Sequence, residues 1–335
     1  MDEEMPIFLP KKKAATGGAS NKTETLAKSP KPFIDKISLI VEPSTAPNKE
    51  LDNQPDAHAI YMALFQSLDD TELFKDAPKP KGYQLAKRVV MKTVADLKKW
   101  PLLQIAYDKT EKLVTRLRLE FVPVDLGPEG MNELHIQLTA ILPDGWAYMV
   151  QHASVTRIDI AVDLPGVTMD DFVVQPQQAM TVSTWKSKGA LESVYIGKSK
   201  GNQTRIYSRS QKRLAKKQAW DGAPEVRVER KLINLKEMKL LDLPAMTNPF
   251  SSIALIDNLP GPPPLLNEKK HWQWSLFRDS VQVRGLTAAL ALLPSALRTR
   301  FRKHLIAHAK SYWDPEAIWA GWKLMLKELK IAQLH

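Results

Sequence analysis

The sequence predicts an α+β fold, in which a largely antiparallel sheet is flanked by helices and followed by a smaller helical C-terminal domain. Several segments before residue 258 alternate polar and apolar residues with period 2, which is typical of strands with one buried and one solvated face. Two of them are joined in the form of a hairpin, which favours antiparallel pairing. Beyond a proline-rich run at residues 258–265, apolar residues recur instead at helical spacing.

The composition indicates a basic protein with a sizeable core. The 48 Lys and Arg residues against 37 Asp and Glu give a formal net charge of +11, and 44% of the residues are hydrophobic. Such a charge favours nucleic acid, an extended anion, as the partner. The absence of cysteine excludes disulfides, thiolate zinc sites and cysteine nucleophiles. Because no apolar run approaches the roughly 18 residues of a membrane span and no signal-peptide pattern is present, we expect a cytoplasmic protein without a membrane partner.

Shifts in composition divide the chain into four predicted segments. Residues 1–55 are poor in aromatics and rich in Pro and Lys, which predicts a disordered basic tail with one transient element near Phe33–Val41. Residues 56–257 are predicted to form the sheet-based domain. Residues 258–265 contain Pro-Gly-Pro-Pro-Pro and predict a linker. Residues 266–335 predict a helical domain whose basic surface suits DNA binding or an accessory role.

The first ordered elements are predicted to be a helix and two strands. Asp56 is a suitable N-cap for a helix whose apolar stripe includes Ile60 and Leu64. Strand character follows at Leu102–Tyr107 and Leu113–Val124, where polar and apolar residues alternate.

Four later segments share one polar pattern. They are Glu133–Thr139, Val155–Asp163, Gln203–Arg209 and Glu225–Lys231. Each predicts a strand whose polar side chains lie on one face. If the four join one sheet, a single surface carries carboxylates, an imidazole, guanidiniums and a phenol: His135, Arg157, Asp159, Asp163, Arg205, Tyr207, Arg209, Arg227 and Glu229. Such a surface offers the groups that phosphoryl transfer uses.

Basic residues are concentrated around Tyr207. Eight Lys and Arg residues lie from Lys198 to Lys217, in a hairpin loop and in the helix-prone segment Gln211–Ala219. Six basic side chains from this region and from the predicted strands are candidates for contact with DNA phosphates: Lys198, Lys200, Lys212, Arg213, Arg157 and Arg227. The alternative interpretation is a solvated charged face that binds nothing.

The order of these motifs resembles a known family. HIQLT, VTRIDIAVD, YIGKSKGNQTRIYSR and VRVERKL follow one another between residues 130 and 235. The corresponding motifs of the Rep_trans (replication initiation factor) family of rolling-circle replication initiators are HVQLSG, TRIDLAxD, YIGSRKSxxxxRIYDK and RVELEL. Ser208 and Arg209 depart from the family, which usually has Asp or Asn and then Lys there, and Thr139-Ala140 replaces Ser-Gly.

The resemblance implies a relaxase-like endonuclease and strand transferase that nicks one strand of a plasmid origin, presented single-stranded or as a cruciform. A tyrosine would form a 5′-phosphotyrosine link and leave a 3′-OH primer. Tyr207 matches that nucleophile, with Arg205 and Arg209 as its catalytic neighbours. Four residues match the implied metal-binding positions: Asp159, Glu229, His135 and Asp163. The family also implies a homodimer and leaves a host helicase as a candidate partner.

The chemistry of these side chains agrees with that expectation. A free phenol has a pKa of about 10 and is a weak nucleophile at neutral pH. Neighbouring guanidiniums are expected to favour the phenolate and the negative charge that builds on the phosphate. Carboxylates with one imidazole suit Mg²⁺ or Mn²⁺ better than a soft metal ion.

Each candidate residue has a structural alternative. Tyr207 could be a packing residue, and Asp159 and Glu229 could pair with Arg157 or Arg227 on the sheet. Two rival functions also stay open. A tyrosine recombinase would carry its nucleophile near the C-terminus in a helical domain, and a non-catalytic sequence-specific DNA-binding regulator would need no carboxylates on the sheet face.

Overall fold

The fold is described from a computed structural model, which covers most of the chain after residue 29. The described residues are 30–43, 57–67, 70, 72–142, 144–176, 181–187, 190–219, 221–235, 238–257, 260–264, 266–308, 310 and 312–332.

The strands of these residues form a ten-stranded sheet and a two-stranded sheet, and every described pairing is antiparallel. In chain order they are β1 (Phe33–Val41), β2 (Phe74–Asp76), β3 (Leu85–Val89), β4 (Leu102–Asp108), β5 (Leu113–Phe121), β6 (Ser154–Pro165), β7 (Phe172–Pro176), β8 (Val182–Ser187), β9 (Ala190–Ile196), β10 (Gln203–Ser208), β11 (Glu225–Ile233) and β12 (Ile253–Asp257). The large sheet has the order β2-β3-β4-β5-β1-β6-β11-β10-β9-β8, and β12 pairs with β7.

Helices flank the large sheet and dominate the C-terminal region. They are α1 (Ala57–Ser67), α2 (Pro123–Leu138), α3 (Trp146–His152), α4 (Arg209–Ala215), α5 (His271–Arg284), α6 (Leu286–Ala291), α7 (Ser295–Ala307), α8 (Pro315–Trp319) and α9 (Trp322–Glu328). Among the described helices, none is both long and apolar enough to cross a membrane. The predicted α+β class, with its antiparallel sheet, flanking helices and helical C-terminal region, is confirmed.

The predicted strands at Leu102–Tyr107 and Leu113–Val124 are confirmed as β4 and β5, although β5 ends at Phe121 before Pro123. The N-terminal helix is confirmed as α1, with Ile60 and Leu64 buried. The segments around Asp159, Tyr207 and Glu229 are confirmed as the strands β6, β10 and β11.

Residues 1–29 and 44–56, which include most of the predicted disordered tail (residues 1–55) and the predicted N-cap Asp56, lie outside the described residues. Within that tail, the strand β1 corrects the prediction of disorder for Phe33–Val41. It lies in the middle of the sheet, paired with β5 on one side and β6 on the other. Ile34, Ile37 and Leu39 are completely buried. The composition of the whole tail concealed a nine-residue strand, because neighbouring strands supply the backbone partners and apolar contacts that this segment lacks by itself.

This position predicts different outcomes for two truncations. A chain that begins at Pro30 is expected to melt cooperatively, whereas one that begins at Leu51 is not expected to fold, because β5 and β6 lose the strand between them. The four buried apolar side chains of β1, Ile34, Ile37, Leu39 and Val41, stabilise the fold by about 6–12 kcal/mol, which rivals the roughly 5–15 kcal/mol of a whole domain. Circular dichroism melting curves test this. Equal melting temperatures for both truncations would contradict a central role for β1.

The helix α2 corrects a second prediction, the strand at Glu133–Thr139. This segment forms the last turns of α2 and its C-cap. A short segment with Leu134, Ile136 and Leu138 fits both strand and helix periodicity, because Leu134 and Leu138 also have the i, i+4 spacing of a helix face. Leu134 and Leu138 are buried, whereas Ile136 is 70% exposed, which is the helical pattern.

The central strands have two different faces. Residues such as Ile158, Ile160 and Val228 point to one face and join a hydrophobic core to which α2 and α3 contribute. The alternate residues of the same strands, among them Asp159 and Glu229, point to the other face. We call this second face the polar face.

The C-terminal helices belong to two cores. Trp274 of α5 and Phe301 of α7 form a separate core with Ile256 of β12. In contrast, Trp322 and Leu326 of α9 pack into the core of the large sheet. The predicted linker at residues 258–265 therefore does not separate all the following helices from the sheet.

Candidate functional site on the polar face

Tyr207 lies at the floor of a pocket of about 1170 Å³ on the polar face. The walls come from β8, β9, β10 and α4. Antiparallel pairing places Tyr207 beside Arg227 of β11 and Ser193 of β9. The side chain is 9% exposed, so most of the phenol ring is removed from water.

Two charged groups contact the Tyr207 hydroxyl. The hydroxyl donates a hydrogen bond to Glu229 Oε2 at 3.4 Å, and Lys212 Nζ donates one to the hydroxyl oxygen at 3.3 Å. The same ammonium lies 4.4 Å from the centroid of the Tyr207 ring, within cation–π range. Arg205 Nη1 contacts the second carboxylate oxygen of Glu229 at 2.8 Å, and Arg205 Nε donates to Gln203 at 2.9 Å.

The environment keeps the phenol protonated in the free protein. Burial raises the pKa of Tyr207, the negative charge of Glu229 adds to this effect, and Arg227 opposes it. The guanidinium of Arg227 thus acts in the expected direction, but burial and Glu229 outweigh it, and the net effect disfavours the phenolate. Arg205 and Arg209 are instead bound to carboxylates.

The pKa values of the two groups that contact the Tyr207 hydroxyl, Glu229 and Lys212, are also perturbed. Burial raises the pKa of Glu229, against the lowering effect of Arg205, and nearby Asp35 and Asp159 raise it further. Partial burial of its ammonium group lowers the pKa of Lys212. The carboxylate is therefore a stronger base than an ordinary glutamate, and the ammonium a stronger acid than an ordinary lysine.

An ion-pair cluster lies beside the pocket and is centred on Arg227. Arg227 is buried and donates to Asp163 at 2.6 and 2.9 Å and to Asp35 at 2.6 Å. Arg209 also contacts Asp163, and it lies 3.3 Å from Glu225. Arg209 is the first residue of α4 rather than part of the Tyr207 strand, which corrects its predicted position.

Of the other residues predicted to bind DNA, two are paired with carboxylates and two are exposed in a loop. Arg157 is hydrogen-bonded to Asp159, which is the pairing that the structural alternative predicted. Arg213 pairs with Glu225 at 3.2 Å. Lys198 and Lys200 lie exposed in the β9–β10 hairpin loop, and Lys198 lines the pocket.

His135 lies on the opposite side of the sheet from the polar face. Its ring stacks on Trp146 with centroids 4.7 Å apart, and Trp146 contacts Phe121 of β5 at 5.9 Å. The residue before Phe121, Glu120, contacts Lys36 and Ser38 on the polar face, so Phe121 points away from it. The predicted placement of His135 beside Asp159 and Glu229 is therefore wrong, because the histidine lies on a helix.

Within the described part of the chain, no three His, Asp or Glu side chains form a group that could hold a metal ion. Asp159 and Glu229 nevertheless occupy diagonal positions on neighbouring strands, since Asp159 pairs with Lys231. Such positions are roughly 7–8 Å apart between Cα atoms. Mg²⁺ commonly takes one or two carboxylates and completes its shell with water and substrate phosphate, so the ligand type and number of this pair suit that ion.

Two contacts were not predicted from the sequence: that of Lys212 with the Tyr207 hydroxyl and that of Asp35 with Arg227. Ser208 ends β10 and caps α4, its hydroxyl accepting from the Gln211 amide at 3.3 Å. The helix therefore begins directly after the strand and turns Lys212 back over the phenol. A capping serine in this position is a readable signal. No such signal exists for Asp35, because strict alternation would place it with Ile37 and Leu39 on the apolar face, and the register shift between Ile34 and Lys36 breaks the alternation there.

Arg227 gives a prediction that separates a structural from a DNA-binding role. Arg227→Ala leaves the carboxylates of Asp163 and Asp35 without their shared partner, and we expect a loss of about 3–5 kcal/mol in the free energy of unfolding. Urea denaturation measures it. Arg116→Ala is the control: Arg116 pairs with Glu42 at 2.9 Å on the surface, and we expect at most about 1 kcal/mol. Weaker DNA binding by Arg227→Ala with unchanged stability would instead indicate a phosphate contact.

Comparison with known proteins identifies no family. No family model matches this chain, and no curated protein is similar to it in sequence. One solved structure that is similar to this chain is that of a rolling circle replication initiator protein from Geobacillus stearothermophilus. The two chains are 15% identical, the match covers 77% of this chain and 98% of that chain, and the TM-score is 0.37. Membership of the Rep_trans family therefore stays a prediction.

Proposed function

We propose that this protein is a DNA-nicking enzyme of the rolling-circle initiator type, in which Tyr207 attacks one DNA strand at a replication origin. The observation that carries the proposal is the Tyr207 hydroxyl itself. It lies between a carboxylate at 3.4 Å and an ammonium at 3.3 Å, at the floor of a pocket that Arg205 and Lys198 also line. A nucleophile, a base and cations for a phosphate are thus brought together.

Glu229 is assigned the role of general base. Its pKa is raised, chiefly by burial, towards neutral pH, where a general base is most effective. The 3.4 Å contact is long, as catalytic hydrogen bonds often are without substrate. The proton passes from Tyr207 Oη to Glu229 Oε2 as the attack on phosphorus begins.

The bond changes then balance as a transesterification. A bond forms between Tyr207 Oη and phosphorus, the bond between phosphorus and the 3′ oxygen breaks, and that oxygen takes a proton from solvent water as it departs, while the phenol proton stays on Glu229. The products are a 5′-phosphotyrosine link and a 3′-OH. Lys212 and Arg205 stabilise the negative charge on the phosphate oxygens, and Lys212 retains donors for this after contacting the phenol.

Of the two carboxylates, Asp159 would hold Mg²⁺ or Mn²⁺ together with a DNA phosphate while Glu229 acts as the base, and the bound ion would polarise the scissile oxygen. A homodimer, a host helicase and a cytoplasmic location are proposals that rest on the family resemblance and on composition.

The decisive assay uses a supercoiled plasmid that carries the DNA surrounding the coding gene. The proposed enzyme relaxes it and stays attached to a 5′ end, which denaturing gels detect as a protein–DNA adduct. A regulator shifts the plasmid on a native gel and leaves it supercoiled. A tyrosine recombinase leaves its adduct on a 3′ phosphate, which mapping of the cleaved end distinguishes.

The metal ligands give a further prediction. Asp159→Asn is expected to reduce Mn²⁺-stimulated cleavage by about 10-fold or more, since the carboxylate proposed to hold the ion is lost, and to weaken Mn²⁺ binding measured by electron paramagnetic resonance. DNA affinity should not fall, because a negative charge leaves a basic surface. Asp279→Asn, an exposed site on α5, is the control. Unchanged Mn²⁺ binding by Asp159→Asn would remove Asp159 from the metal site.

A further inference from the structure

Trp185 is an exposed indole on β8, the strand at one edge of the large sheet. It is 65% exposed and lines the same pocket as Tyr207. Every described residue of β8 is exposed, so this indole is not part of a core. Because it lines the pocket of Tyr207, this exposed indole is placed to contact whatever enters that pocket.

The strand register places Trp185 in line with the nucleophile. Trp185 pairs with Ser193 of β9, and Ser193 pairs with Tyr207 of β10. The three side chains therefore share the polar face, with the small serine between two aromatic rings. Because adjacent strands lie about 4.8 Å apart, the two ring-bearing positions are separated by roughly 10 Å. A gap of this width over a serine can admit one flat base.

We propose that Trp185 stacks on an unpaired base of single-stranded DNA next to the phosphate that Tyr207 attacks. The inference rests on the proposed function and adds to it a residue, Trp185, that binds a base of the attacked strand. Lys198 and Lys212 line the pocket and supply charge for the backbone on either side of such a base. An aromatic platform within a basic groove is the combination that binds single strands with little sequence preference. A base in a duplex is already stacked and cannot use this platform.

The test measures binding without cleavage, so it does not depend on Tyr207 chemistry. The Tyr207→Phe protein is titrated with labelled oligo(dT) of about 12 nucleotides and with an abasic strand of the same length and charge. We expect Trp185→Ala, added to this background, to weaken oligo(dT) binding by about 5- to 100-fold and to leave abasic binding within about 2-fold. Trp185→Phe should retain most of the preference for oligo(dT), because it keeps an aromatic face.

Trp272→Ala is the matched control, since Trp272 is 57% exposed on α5 outside the pocket. It should bind both strands like the parent. The inference is overturned if Trp185→Ala keeps the full preference for bases, or if Trp272→Ala loses as much. Adduct formation by the protein with Tyr207 intact is measured separately. If Trp185→Ala loses the preference for oligo(dT) but the protein with Tyr207 intact forms no adduct, stacking is supported and nicking is rejected. If the adduct forms but Trp185→Ala keeps the preference, nicking is supported and stacking is rejected.

Discussion

Tyr207→Phe is expected to fold and to bind DNA like the parent protein, and to form no covalent adduct. Phenylalanine keeps the ring and its contact with the Lys212 ammonium, 4.4 Å from the ring centroid. It removes the only Tyr207 atom that can attack phosphorus. Loss of a nucleophile lowers turnover by a factor on the order of 10⁴ or more, so supercoiled plasmid should stay uncut.

Tyr195→Phe is the matched control for this substitution. Tyr195 lines the same pocket and pairs with Arg205 on the neighbouring strand. Its variant should nick at a rate close to that of the parent. Peptide mapping of the adduct then identifies the linked residue directly. A phosphotyrosyl link on any other tyrosine, or an adduct that persists in Tyr207→Phe, would contradict the proposed mechanism.

The part of the site that could be predicted from sequence lies on long strands. β6, β10 and β11 alternate polar and apolar residues over six or more positions, and a helix cannot bury such a pattern on one side. Shared strand faces then bring Arg205, Tyr207 and Glu229 together. Residue alternation alone predicts which side chains share a face within each strand, whereas the pairing of β10 with β11 is what brings Glu229 to Arg205 and Tyr207.

The rest depends on tertiary contacts that no local pattern specifies. His135 lies in a short segment whose apolar residues fit either period, and packing against the sheet selects the helix. Whether Arg209 continues a strand or begins a helix is decided by the Ser208 cap. From the sequence alone, several arginines could pair with the carboxylate of Asp163. The fold determines that Arg227 and Arg209 form the salt bridges.

The raised pKa of Glu229 has a consequence for stability as well as for catalysis. The folded state holds the Glu229 proton more tightly than the unfolded state, whose carboxyl has the ordinary pKa of 4.5. The stabilising effect of this proton is therefore fully present below pH 4.5 and is lost as the pH rises through the raised pKa. Once ionised, the buried Glu229 is thus a group that the fold tolerates at a cost, which is common at functional sites.

Glu229→Gln is accordingly expected to separate activity from stability. Glutamine keeps the shape of the side chain but cannot take the phenol proton, so cleavage should fall by about 10²–10⁴-fold. The melting temperature at neutral pH should not fall, because the variant removes a buried carboxyl whose pKa is raised.

In the parent, cleavage should decline as the pH drops through the Glu229 pKa, and this acidic limb should be absent from the residual activity of Glu229→Gln. Rate measurements across pH, together with calorimetric melting, test both parts. A variant that is less stable and proportionally less active would show that Glu229 serves the fold through Arg205 rather than the reaction.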